Sequence, residues 1–123
     1  MRLLLITLLA CFSCSTAAAV PEDASPPTQQ QLQTLLSGNT LKGLWDGRPF
    51  TQYFAAGGST QYREGDGPTT HGTWRVTEQG QYCSIWPPFP RETCYDVLVS
   101  GSRILWSWDG KTHPSEISEG NLF

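Results

Sequence analysis

Two histidines, a handful of acids and four cysteines are the residues of this chain with chemistry to offer. A hydrolase needs a nucleophile, a base and an orienting group. His71 starts an extended run after a Pro/Thr turn, and His113 precedes Pro114 in what reads as a tail, so each is expected to be a surface or hydrogen-bonded histidine. No Gly-x-Ser-x-Gly elbow is present. Paired carboxylates could support glycoside hydrolysis, with Asp46, Glu64, Asp66, Asp96 and Asp109 as the acids to consider. Asp46, Asp66 and Asp109 each precede or adjoin a glycine, where Asp favours turns. Asp96 differs: it stands inside an apolar run, which makes it the candidate buried acid, with Arg75 or Arg103 as its partner if it faces inward. The ordered oxygen pattern of a calcium loop is missing, as is a phosphate-binding glycine loop leading into a helix. No catalytic residue, cofactor or metal site is therefore expected.

The cysteines divide by position. Cys11 and Cys14 fall in an N-terminal segment with Arg2, the apolar run Leu3–Ala10 and the small residues Ala17–Ala19, the three parts of a secretory signal. That run is far shorter than the ~20 residues a membrane-spanning helix requires. Residues 1–19 are thus expected to be a signal peptide, with the mature protein periplasmic or secreted. A second reading makes Cys11 a lipid anchor, because Leu8–Cys11 loosely matches a lipoprotein box, although Leu9 is bulky for that motif. Cys83 and Cys94 remain as an even pair in an oxidising compartment and are expected to form a disulfide. Neither has a second Cys or His at zinc-ligand spacing. Loss of Arg2 with the leader takes the net charge from −3 to −4. Such a surface argues against nucleic acid or an anionic membrane as partner, since both recruit clustered Lys and Arg.

The densest signal is aromatic. Five tryptophans, five phenylalanines and four tyrosines are many for a chain of this length. They either fill a small core or line a surface that takes a small ligand or a partner's side chain. Trp86-Pro87-Pro88-Phe89-Pro90-Arg91 is the candidate binding loop, stiffened by proline and tied at its base by the cystine.

The elements that must position these groups follow from periodicity. Residues 20–27 (VPEDASPP) form a flexible Pro-rich arm, and residues 28–123 a single small β-rich domain. Thr28 and Gln31 match a capping box, Leu32, Leu35 and Leu36 form a stripe, and Gly38 stops the helix, so a short helix is expected over about 28–37. Seven runs then follow at intervals of about ten residues: 40–45, 50–55, 59–64, 71–77, 81–86, 94–100 and 103–108. Glycine and proline turns separate them. Leu41/Trp45, Phe50/Phe54, Trp74/Val76, Tyr82/Trp86, Tyr95/Val97/Val99 and Ile104/Trp106/Trp108 keep two-residue spacing, as one face of a strand does. The spacing predicts a mainly β fold: an antiparallel meander of about seven strands, as a small barrel or a curved sheet.

Gly38-Asn39-Thr40, Gly72-Thr73-Trp74-Arg75-Val76, Tyr82-Cys83-Ser84, Cys94-Tyr95 and Gly120-Asn121 together resemble a family of short exported proteobacterial proteins of unknown function. The resemblance spans about residues 35–122. It implies a signal-bearing periplasmic β-rich module and no assigned reaction. The expected function is a non-enzymatic binding module that engages a small ligand or protein. The alternative is an inhibitor or accessory subunit of another exported protein, with the 86–93 loop as its wedge.

Overall fold

The computed structural model describes residues 20–123. The expected signal peptide and the alternative lipid anchor at Cys11 lie outside the described residues.

Helix α1 (Gln29–Leu36) begins at the capping box anticipated above: the Gln31 amide donates to Thr28 Oγ1 at 3.1 Å and the Thr28 amide to Gln31 Oε1 at 2.9 Å. Two orphan donors of the first turn are thereby satisfied by a reciprocal pair. Its inner face buries Leu32 and Leu36 completely. The Ser25 backbone pairs with Val99, so part of the expected flexible arm is tied to the domain.

Eight strands follow: β1 (Asn39–Trp45), β2 (Arg48–Phe54), β3 (Ser59–Glu64), β4 (Thr70–Val76), β5 (Tyr82–Ile85), β6 (Thr93–Ser100), β7 (Arg103–Trp108) and β8 (Lys111–Glu119). Each pairs antiparallel with the next, and β8 returns to β1 through Leu41↔Ile117 and Gly43↔Ser115, closing an up-and-down barrel. The expectation of about seven strands in a small barrel holds, but the runs read from the sequence end at 108 and leave out β8. Its inward positions are His113, Ser115 and Ile117, a set too polar to register as an apolar face, and Pro114 suggested a tail. Those small and polar groups have a packing reason. A Cβ on the facing Gly43 would lie 2.6 Å from the Ser115 Cβ, so the closing seam tolerates glycine opposite serine and little more. Closure removes the exposed edges that β1 and β8 would otherwise present to other chains.

Because successive strands run in opposite directions, the barrel has two unlike ends. At one end, α1 lies across the opening, Gln29 Nε2 donates to the Val76 carbonyl at 3.2 Å, and Leu32 and Leu36 pack with Leu41, Phe54, Trp74, Val76, Val97 and Ile104. The other end carries the connections β1–β2, β3–β4, β5–β6 and β7–β8, and no helix among the described residues lies over it.

Cys83 and Cys94 oppose each other across β5 and β6 and are bonded, as their pairing in the sequence predicted. Tyr82↔Tyr95, Cys83↔Cys94 and Ser84↔Thr93 are the whole of that seam, the shortest in the barrel. The cystine therefore fastens the wall where backbone pairing supplies least.

Candidate functional site

At the open end lies a cavity of about 460 Å³. Its walls are the inward faces of the strands. Positions 45, 50, 62, 86, 95, 106 and 108 are all aromatic, and each sits two residues from another inward side chain of its own strand or at that strand's mouth end. The rings meet mostly edge to face. Tyr95 stands at 86° to Trp45 with centroids 5.7 Å apart, and at 87° to Trp106 at 6.1 Å. Tyr62 meets Trp86 at 67° and 6.0 Å. Such contacts add attraction beyond buried area and hold each ring's orientation. Trp86 has a specific seat: a Cβ on Gly72 would come within 2.7 Å of its indole Cε3 and 2.5 Å of the Ile85 carbonyl. Only glycine at position 72 leaves room for the indole.

Below the rings the cavity ends on polar side chains. Gln52 reaches from β2 across the lumen, its Nε2 donating to Thr60 Oγ1 at 3.0 Å and to Tyr82 Oη, on β5, at 2.9 Å. Thr60 Oγ1 spends its own hydrogen on the Tyr53 carbonyl at 2.8 Å, so toward Gln52 it can only accept. That fixes which way the Gln52 amide points. Ser84 accepts from Trp86 Nε1 at 3.0 Å. Gln52, Tyr82 and Ser84 are all buried and all line the cavity, separating it from the apolar core beneath.

The rim carries compensating charges. Arg48 lies 3.5 Å from Glu64, whose carboxylate also accepts from the Tyr62 hydroxyl at 3.4 Å. Burial, with the nearby Glu64 charge second, pushes the Tyr62 phenol up to about 12. Burial likewise raises Tyr82 and Tyr95, so all three phenols stay neutral across the physiological range.

The candidate loop contributes a wall rather than a separate feature. Trp86, Pro87 and Phe89 line the cavity, while Pro88 and Arg91 are exposed and stand outside it. Asp96, the candidate buried acid, is exposed instead. On β6 the inward set is Tyr95 and Val97, so the alternation turns Asp96 out, where Gln81 Nε2 donates to it at 2.9 Å. Arg75 does not pair with it; that guanidinium grips both oxygens of Glu92 outside the barrel. The Arg75 bond holds the Glu92 carboxyl below the usual carboxylate range.

His113 lies in β8 rather than in a tail, and it is a hydrogen-bonded histidine as expected: inward and buried, it stacks on Trp45 at 4.1 Å and 19°, with Nδ1 accepting from the Asp46 amide at 3.3 Å. His71 is exposed on β4. Asp46 and Asp109 occupy turns with φ of 48° and 51°, consistent with the turn roles assigned to them. Cys83, Glu92 and Cys94 place donor atoms within 4.8 Å of one another, but the two sulfurs are bonded together and cannot ligate as thiolates.

Sequence reasoning missed Gln52, Ser84, Arg48, Glu64, Tyr62 and Thr70 as cavity residues. The available signal was register: Gln52 lies between Phe50 and Phe54, and Ser84 between Tyr82 and Trp86, each on an already assigned inward face. Among the described residues, no helix is long and apolar enough to cross a membrane. No protein-family model matches the chain, and a search of curated proteins finds no match.

Proposed function

We propose that this protein is an exported, non-enzymatic binding module whose open barrel end takes up a small molecule. The observation that carries this is the cavity of about 460 Å³, walled by aromatic side chains and ending on buried polar ones. Its size falls within the roughly 300–1,000 Å³ typical of small-molecule sites, and a few placed polar groups in an apolar lining are how such sites orient a ligand. An eight-stranded barrel is just wide enough to be filled by side chains or to hold one small ligand. Here α1 and the core occupy one end and leave the other open.

The non-enzymatic reading is supported by how the rim acid is engaged: Glu64 sits against Arg48 and Tyr62. Export is supported by the leader-like N-terminus, by the family resemblance noted above, and by the cystine, which persists in oxidising compartments.

The second reading, docking to another exported protein, has one observation in its favour: Phe89, at the tip of the β5–β6 connection, is 72 % exposed. The two separate experimentally. Protein purified from its own exporting cell is analysed by mass spectrometry, for small molecules after denaturation and for co-purifying chains before it. The expected result is a discrete small molecule that Trp108→Ala, at the exposed rim, diminishes. A stoichiometric protein partner lost in Phe89→Ala, with no small molecule, would reverse the order of the two readings.

A further inference from the structure

Counting hydrogens and lone pairs at the base of the cavity says what kind of molecule the site would hold; this inference rests on the binding function just proposed. Both Gln52 Nε2 hydrogens are committed, one to Thr60 and one to Tyr82. No hydrogen bond among the described residues reaches Gln52 Oε1, which is therefore an acceptor without a protein donor. Tyr82 Oη accepts from Gln52, and its own O–H has no acceptor among the described hydrogen bonds. Ser84 Oγ accepts from Trp86 Nε1 and also lies in hydrogen-bonding reach of the Tyr82 hydroxyl, so the two hydroxyls share one hydrogen between them and leave the other without a protein acceptor. Tyr82 and Ser84 are two residues apart on β5 and face the lumen together, opposite Gln52 on β2. The base thus offers one free hydroxyl hydrogen, from the Tyr82–Ser84 pair, beside one amide acceptor, on side chains that are each at least nine-tenths buried.

We infer that the site takes a neutral, flat molecule with a carbonyl and an adjacent N–H at its leading end: a cyclic amide, imide or urea. The carbonyl oxygen accepts from the Tyr82–Ser84 hydroxyl pair, and the N–H donates to Gln52 Oε1. The flat body lies among Trp45, Tyr95, Trp106 and Trp86, whose rings provide faces and edges but little spare hydrogen bonding, since Trp86 and Trp106 already donate their indole N–H groups to Ser84 and Ser115. Neutrality follows from the rim, where Arg48 and Glu64 offset each other, and from the phenols, which burial keeps uncharged. A charged head brought to this base would be desolvated with no counter-ion there.

The test is calorimetric titration of the protein with four probes of one shape: the bicyclic lactam carbostyril, its N-methyl derivative, naphthalene and naphthoate. Losing the hydrogen bond to Oε1 is worth about 10-fold in affinity. Carbostyril is expected to bind about 10-fold more tightly than N-methylcarbostyril or naphthalene, with naphthoate weakest. Gln52→Leu is expected to erase the carbostyril preference while leaving naphthalene within about 2-fold. Gln52→Leu breaks bonds to Thr60 and Tyr82, so Ser84→Ala serves as the milder variant, reducing carbostyril affinity alone. Equal binding of carbostyril and naphthalene would overturn the lactam assignment and leave the cavity's binding role standing, and tighter binding of naphthoate would do the same in favour of anions. No binding by any probe, with the fold intact, would remove the lactam assignment and the binding function together.

Discussion

Replacing both cysteines by alanine probes the short β5–β6 seam. The bond closes a loop with a sequence separation of 11. On the chain-entropy model such a closure removes about 9 cal/mol/K from the unfolded ensemble, or about 2.8 kcal/mol at room temperature. For a single small domain, whose total stability is on the order of 5–15 kcal/mol, that is a large fraction. It corresponds to a fall in Tm of about 10–20 °C. Urea unfolding of parent and Cys83→Ala/Cys94→Ala proteins, followed by tryptophan fluorescence, measures the difference, and hydrogen exchange locates it. The amides of β5 and the first half of β6 are expected to lose protection first, because only three opposed pairs join these two strands to each other. A loss below about 1 kcal/mol, well under the chain-entropy value, with β5–β6 protection unchanged, would refute the reasoning that the cystine fastens the weakest seam.

Other outcomes follow from the same geometry. Gly72→Ala forces a methyl against Trp86 and the Ile85 carbonyl, so a loss of about 1–3 kcal/mol by denaturant titration is expected, with altered Trp86 fluorescence; a neutral substitution would show that the indole is not seated there. Tyr62, Tyr82 and Tyr95 all have raised pKa values when folded, so the stability they contribute is complete below the ordinary phenol value of about 10 and is lost as pH climbs above it. Phenolate absorbance rising in step with unfolding would agree, whereas full tyrosine ionisation near pH 10 in the folded protein would not. Glu92 runs the other way: its lowered pKa contributes stability present above the usual carboxylate value of about 4.3 and lost as pH falls through the folded value. Glu92→Gln is expected to remove that acid-side dependence, as read by urea midpoints across pH.

Much of the barrel was legible because its inward residues are large and alternate. Leu41/Trp45, Phe50/Phe54 and Ile104/Trp106 announce their faces, and glycines mark the turns between them. The capping box at Thr28 was equally explicit. β8 was hidden because the seam against Gly43 selects small and polar inward groups, so the period-two signal carries no hydrophobicity there. The site was half visible for a related reason. Trp86, Pro87 and Phe89 stood out by type, but Gln52 and Ser84 look like ordinary surface residues until the register places them inside. Asp96 illustrates the converse: apolar neighbours suggested burial, yet the alternation that buries Tyr95 and Val97 requires Asp96 to face out.

The most direct measurement uses the five tryptophans as reporters. Trp45, Trp86, Trp106 and Trp108 line the cavity, whereas Trp74 lies beneath its base with its indole N–H donated to the Ala55 carbonyl at 2.9 Å. In an NMR titration of the indole N–H signals with carbostyril, the four cavity tryptophans are expected to shift together and saturate while Trp74 stays in place. Unmoved cavity signals, or a Trp74 response as large as theirs, would contradict a ligand seated at the open end of the barrel.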